Sequence, residues 1–195
     1  MRPELPRRRG SCLAGSGTSM SVNRPFILET DRLRLRRLTL DDADLMLAIW
    51  NDPAFVRFVG DRGIRTLEQA REEMANGALD LYTRYGFGPY RMALKNDDKA
   101  IGICGLFRRD GLDDPDIGYG VLPEYCGRGY AYEAARAVMD YARRDLDLRR
   151  LVAIISPDNE ASIGLVRKLG LRFERMHRMQ DEDGEVCIYG IELRS

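Results

Sequence analysis

Val121-Leu122-Pro123-Glu124-Tyr125-Cys126-Gly127-Arg128-Gly129-Tyr130-Ala131 leaves an apolar, strand-like run, crosses a glycine-rich turn and enters a helical pattern. Glycines at 127 and 129 open backbone conformations closed to other residues and let a ligand approach the main chain. The first N–H groups of a helix have no internal partner, and with the helix dipole they form an anion site. Arg128 adds a cation, and the small Ala131 leaves room against the first turn. No Gly-Lys-Ser/Thr follows, so this is not a Walker A loop, and the G-x-G-x-x-G of dinucleotide folds is absent. Taken alone, the pair of glycines is equally consistent with plain turn chemistry.

Working outward, Asp116–Val121 (DIGYGV) reads as the strand before the turn. Ala131, Ala134, Ala135, Val138 and Ala142 recur at helical spacing after it. Leu151–Ile155 (LVAII) is a short continuous apolar run, as in a strand buried on both faces and paired in parallel. The intervening unit is expected to be a right-handed crossover. Ser162, Leu165, Val166 and Leu169 mark a further helix, ended by Gly170 at a left-handed position with Leu171 behind it. Two last strands, Arg172–Met179 and Val186–Leu193, are joined by the turn Asp181-Glu182-Asp183-Gly184.

Upstream, Phe26–Leu28 and Leu33–Arg36 read as extended, with Leu33 and Leu35 alternating with arginines. Thr39-Leu40-Asp41-Asp42 opens a helix that Asn51-Asp52-Pro53 ends. Thr66-Leu67-Glu68-Gln69 is a capping box for a second helix running to about Tyr82, with Gly77 inside it. Tyr90–Leu94 and Ala100–Phe107, around a polar turn, predict a hairpin. The expected fold is a mixed, mostly antiparallel sheet with one parallel strand pair and about four helices.

The totals restrict the function classes. With 195 residues the chain suits one domain. Lys+Arg is 31 and Asp+Glu is 31, which lacks the cationic excess of a dedicated nucleic-acid binder. The four cysteines lie far apart and the single histidine is His177, so neither a disulfide framework nor a zinc site of usual spacing is expected. No stretch approaches the ~18–20 apolar residues of a membrane span. Residues 1–19 are rich in Arg, Gly and Ser, without the apolar core of a secretory signal. Residues 1–22 are therefore expected to be a disordered tail or to precede the true start, and 23–195 a single domain, mildly acidic and cytoplasmic.

The stretches IGYGVLPEYCGRGYAYEAARAVMDYA and LVAIISPDNEASIGLVRKLGLRFE, with the opening LETDRLRLRRLTLDDADLMLAIWNDP, resemble the GNAT N-acetyltransferases, nearest the ribosomal-protein N-terminal (RimJ/RimL-type) branch. The likeness runs over about residues 26–193 and implies the acyl-CoA N-acyltransferase fold with a splayed parallel pair. It implies acetyl-CoA as co-substrate, no metal, and an amine acceptor. The family's pyrophosphate loop falls on Gly127, Arg128, Gly129 and Ala131, with Tyr130 and Tyr132 beside them. Cys126 stands where the family usually has Gln or Arg, which removes a side-chain contact but not a main-chain cradle. By the same resemblance Tyr119, Gly120 and Val121 meet the pantetheine arm. Asn159 contacts the cofactor, caps the next helix, or does both.

The implied reaction is direct attack of a neutral amine on the thioester. The Val121 N–H is the expected oxyanion donor. Asp116 and Glu124 are candidate bases, each more readily read as a solvated carboxylate. Ser162 and Tyr119 are candidate acids, because the family's usual acid tyrosine is Val166 here. Trp50, Phe55 and Phe58 line a groove or belong to the core. Arg57, Arg62 and Arg65 either attract an acidic acceptor or form a solvated face. Three readings follow: a protein N-terminal α-amine acetyltransferase, a small-amine acetyltransferase, and a catalytically silent acyl-CoA-binding module. A monomer or homodimer is expected.

Overall fold

The computed structural model describes residues 26–178 and 184–193. The expected tail and part of the final predicted turn lie outside these residues. Strands β1 (Leu28–Glu29), β2 (Leu33–Arg37), β3 (Pro89–Leu94), β4 (Ala100–Phe107), β5 (Asp116–Val121), β6 (Arg150–Ile155), β7 (Arg172–His177) and β8 (Val186–Glu192) form one sheet in the order β1-β2-β3-β4-β5-β6-β8-β7. Every neighbouring pair is antiparallel except β5 with β6. The mixed sheet with one parallel pair is therefore as expected.

The helices differ from the expectation in two places. Six α-helices are described rather than about four: α1 (Ala43–Trp50), α2 (Pro53–Phe58), α3 (Leu67–Asn76), α4 (Ala78–Tyr85), α5 (Tyr130–Arg144) and α6 (Glu160–Lys168). Asn51-Asp52-Pro53 ends α1 but also starts α2. Asp52 is its N-cap, accepting from the N–H groups of Ala54 and Phe55, with Pro53 in the first turn, where its missing N–H costs nothing. Gly77 does not sit inside a continuous helix. It caps α3 at φ −110°, ψ −88°, and a second helix begins at Ala78. The capping box at Thr66 is formed, the Thr66 side chain accepting from Gln69 N–H and Gln69 Oε1 accepting from Thr66 N–H. After Thr39 a 3-10 turn, Leu40–Asp42, precedes α1. Gly170 has φ 96°. Its N–H donates to Arg167 O and that of Leu171 to Val166 O, both at 3.0 Å, the paired bonds of a Schellman end.

Two large cores share the sheet, with a smaller cluster of Leu112, Val152 and Ile188 beside them. One lies under α5 and α6, where Ala134, Ala135, Val138, Ala142 and Val166 pack with Leu33, Leu35, Met92, Leu106 and Leu151. The alternation of Leu33 and Leu35 with exposed or half-exposed arginines is thus a true inside–outside pattern. The other lies under α1 and α3, with Trp50, Ile49, Met46, Ala70 and Met74 against Ile103. Trp50 is therefore core. At the edge of this second core Arg36 grips Asp42 through two bonds of 2.7 Å, and Arg91 Nε lies 3.6 Å from the same carboxylate. The guanidinium of Arg36 holds Asp42 below the usual carboxylate range against the opposing effect of burial.

Candidate functional site

Strands β5 and β6 start together and part at once. Their register holds one pair, Asp116 with Val152, secured by Val152 N–H to Pro115 O at 3.0 Å. The rest of β5 keeps its other neighbour, β4, along its whole length. Leu122 N–H donates to Ile101 O at 2.9 Å. Main-chain groups alternate sides along a strand, so the N–H and C=O of Tyr119 and Val121 face away from β4, into the wedge where β6 has departed. A strand edge inside the molecule is thus left without its ladder partner, and buried main-chain groups call for one.

The chain leaves that edge through a 3-10 turn, Pro123–Tyr125, and reaches α5 by way of Gly127 and Gly129. Both glycines lie in the left-handed region, with φ 73° and 80°. Gly129 is the N-cap of α5 and has no side chain to offer the first-turn N–H groups, so they are free for an external anion. Nothing lies within 4 Å of where a Cβ on Gly127 would stand, and on Gly129 only Arg32 Nη2 at 3.5 Å. The two glycines answer a backbone need, and the space beside them is open.

One cavity of about 460 Å³ joins these features. On one side it is lined by Tyr119, Gly120, Val121, Gly127, Gly129, Tyr130, Ala131 and Tyr132, with Asn159 and Ser162 from the start of α6. The other side is mostly apolar, with Ile49, Ala54, Phe55, Phe58 and Val59 around the one carboxylate, Asp52. Asn159 Oδ1 accepts from Ser162 N–H at 3.1 Å, so it caps α6 and faces the cavity at once. The Tyr119 hydroxyl is buried and makes no well-formed hydrogen bond. Burial pushes its phenol up to about 12, with the nearby Ser162 hydroxyl pulling the other way.

Three sequence candidates fall elsewhere. Arg128 does not line the cavity: its guanidinium stands 5.7 Å from the Tyr125 ring centre and its carbonyl accepts from Arg32 Nη1 at 3.1 Å. Asp116 is only 2 % exposed, at the far end of β5, and bonds Arg109 Nε at 2.7 Å. Burial raises its carboxyl despite that arginine. Glu124 is exposed on the 3-10 turn and is not a lining residue. The arginines of the α2–α3 region are paired with carboxylates: Arg57 with Asp158, Arg62 with Glu73, and Arg65 with Asp61.

Sequence reasoning missed a brace behind the loop. Glu133, in the first turn of α5, accepts from Thr30 Oγ1 at 2.6 Å, Arg32 N–H at 3.0 Å and Arg32 Nε at 2.6 Å. Arg32 also lies 4.5 Å from the Tyr130 ring centre. The β1–β2 turn is thereby tied to the glycine loop at several points. The signal was present as Thr30-Asp31-Arg32 beside Glu133, but nothing in the spacing joins positions a hundred residues apart. Asp52 was also missed as a cavity residue, because Asn51-Asp52-Pro53 reads in sequence only as a helix end.

The sequence profile of the acetyltransferase (GNAT) domain matches residues 32–172. The chain belongs to the GNAT acetyltransferase family. Its relatives include N-acetyltransferase p20 of Bacillus licheniformis, 32% identical over 152 residues, covering 77% of this chain and 85% of that one. A shorter stretch of 54 residues, 28% of this chain and 29% of the relative, is 43% identical to spermidine N(1)-acetyltransferase of Escherichia coli. Among solved structures, the ribosomal L7/L12 α-N-protein acetyltransferase RimL in complex with coenzyme A matches with a TM-score of 0.72 at 21% identity. That match covers 86% of this chain and 98% of the other. GNAT acetyltransferases take acetyl-CoA as co-substrate, and this GNAT chain is an acetyl-transferring enzyme. The wedge, the two left-handed glycines and the uncapped helix start fit a carrier with a polar arm and a diphosphate. No His/Cys/Asp/Glu cluster fit for a metal occurs among the described residues, and no described helix is long and apolar enough to cross a membrane.

Proposed function

We propose that this enzyme acetylates the free α-amine of a polypeptide N-terminus in the cytoplasm, as a member of the RimJ/RimL branch, with residues 23–195 as one catalytic domain. The observation that carries the reading is the acceptor-side wall. It is built from Ile49, Ala54, Phe55, Phe58 and Val59, and among the described lining residues there is no Lys, Arg, His or Glu. Such a wall suits an acceptor with one cationic nitrogen and apolar surface beside it. A polyamine, with several charges to neutralise, is poorly served. The energetics agree. An α-amine with pKa ~7.7–8.0 costs about 1 kcal/mol to deprotonate at pH 7, whereas a lysine at ~10.4 costs roughly 4.6 kcal/mol.

In this reading the first-turn N–H groups of α5 and those of the Gly127–Gly129 loop hold the diphosphate. The exposed edge of β5 at Tyr119 and Val121 holds the pantetheine arm. The Val121 N–H faces the thioester oxygen and stabilises the charge that develops on it. Holding amine and thioester side by side removes the entropy of bringing them together. The amine nitrogen bonds to the carbonyl carbon, the carbon–sulfur bond breaks, and the electron pair leaves on sulfur. Tyr119 is protonated at neutral pH, as any phenol is, and burial pushes its phenol further up. With Ser162 it supplies the proton that the leaving thiolate takes. Asp116, buried at the root of β5, keeps the β5–β6 fork in register and touches no reacting atom.

The test is release of free thiol from acetyl-CoA across an acceptor panel of N-terminal peptides, small monoamines and spermidine. Turnover confined to peptides bears the reading out. Turnover on small monoamines alone selects the second reading, which the same apolar wall and single charge also accommodate. Turnover on spermidine alone overturns it.

A further inference from the structure

We propose that Asp52 receives the acceptor amine as an ammonium and takes one proton from it, which frees the lone pair for attack. This rests on the amine-acceptor reading above and names the group that makes it work. Of the described residues that line the cavity, Asp52 carries the only acidic side chain. Both carboxylates that the sequence singled out lie outside the lining, Asp116 bound to Arg109 and Glu124 exposed on its turn. An amine that arrives protonated in an otherwise apolar pocket therefore meets one negative charge.

The placement of that charge follows from the fold. Asp52 is half-buried at the start of α2, and one oxygen, Oδ1, accepts from Ala54 N–H at 3.0 Å and Phe55 N–H at 3.1 Å. These bonds fix the carboxylate and leave Oδ2 for a ligand. Asp52 lines the same cavity as Cys126 and Val121. Cys126 Sγ in turn is 3.5 Å from Val121 O, on the edge of β5 that faces the wedge. Asp52 thus shares its cavity with the strand segment whose N–H groups face the thioester in the reading above. Among the described residues no arginine or lysine lines the cavity to compete for it.

The step balances without a further reagent. The amine nitrogen forms its bond to carbon, the carbon–sulfur bond breaks, and sulfur leaves with the electron pair and is protonated from the Tyr119–Ser162 side. Nitrogen sheds two protons in all: Asp52 takes the first before attack and passes it to water, and the second, released as the amide forms, replaces the one that the Tyr119–Ser162 side gave to sulfur.

Asp52→Asn tests this, because asparagine caps a helix as well as aspartate does and changes only the charge. The assay uses whichever amine of the panel the wild type turns over fastest. The acceptor panel therefore judges the substrate class, and the variant-to-wild-type ratio judges Asp52. The expected result is a fall of about 100-fold in kcat/KM for the amine, the usual lower share of a general base. The Kd for acetyl-CoA, read by calorimetry, stays within about twofold, and Asp52→Glu recovers part of the loss. Amine turnover by Asp52→Asn within about threefold of wild type overturns the proposal, as does a loss confined to acetyl-CoA binding.

Discussion

Replacing Gly129 by glutamate or by glutamine separates backbone strain from charge at the N-terminus of α5. Gly129 has φ 80° and ψ 5°, a conformation that costs a residue with a Cβ roughly 1–2 kcal/mol. Space is not the obstacle, since the nearest atom to a new Cβ is Arg32 Nη2 at 3.5 Å. Both variants carry the same strain, in the free and the bound protein alike, so it lowers stability and cancels from binding. Glutamate adds a negative charge where a diphosphate is to sit. Two like charges about 4 Å apart repel by about 4 kcal/mol at an effective dielectric of 20. Exposure of the loop and salt reduce this to roughly 2 kcal/mol, a factor of about 30. Titration calorimetry with acetyl-CoA at about 0.1 M salt is the assay. Gly129→Glu should bind about 30-fold more weakly than Gly129→Gln, and the gap should widen at lower salt. Equal affinities for the two variants would refute a diphosphate at this helix start.

Glu133→Gln should weaken the brace from Arg32 and Thr30 and raise the Kd for acetyl-CoA by about 5-fold. Its effect on melting should be small, because Arg32 is nearly half exposed and such pairs contribute about 1 kcal/mol or less. Arg36→Leu leaves the Asp42 carboxylate buried beside Arg91 alone and should cost about 3–5 kcal/mol in urea unfolding. Asp42 is held below its usual range, so its share of stability is present above the unfolded value and is lost as pH falls through the lower folded one. Acid unfolding of the wild type should therefore steepen there, and that of Asp42→Asn should not. Asp116 has the opposite sign. Burial raises its carboxyl, so stability falls as pH rises through the window above its unfolded value. Thermal melts of Asp116→Asn should accordingly gain on the wild type with rising pH. Tyr119→Phe removes a buried hydroxyl without a well-formed partner and should leave melting unchanged or higher. It should nevertheless lower kcat in the thiol-release assay by at least about 10-fold if the phenol serves the leaving thiolate.

Much of the fold was legible because period and punctuation agreed. The alternation at Leu33 and Leu35, the Thr66 capping box and the Gly170 helix end each describe local geometry that local residues determine. The glycine loop was legible for the same reason, since positive φ at 127 and 129 is a backbone demand written in residue type. Where local signals are ambiguous, reading failed. Asp52-Pro53 spells both a stop and a start, and the chain uses both, adding α2 and with it the apolar wall. Gly77 lies between two helices because a capping box upstream and an apolar stripe downstream each specify a helix, without specifying the same axis. The brace of Arg32 and Glu133 was illegible because tertiary contact between distant charges leaves no periodic trace. The parting of β5 and β6 was expected only by resemblance, since nothing in DIGYGV or RLVAII states that pairing ends after Asp116.

A crystal structure of the enzyme with coenzyme A tests the central claim most directly. The account predicts diphosphate oxygens about 2.7–3.2 Å from the N–H groups of the loop and first turn of α5, with the thiol end in the wedge beside Val121. A carrier bound elsewhere, or a loop whose N–H groups are closed by the protein's own side chains, would contradict it.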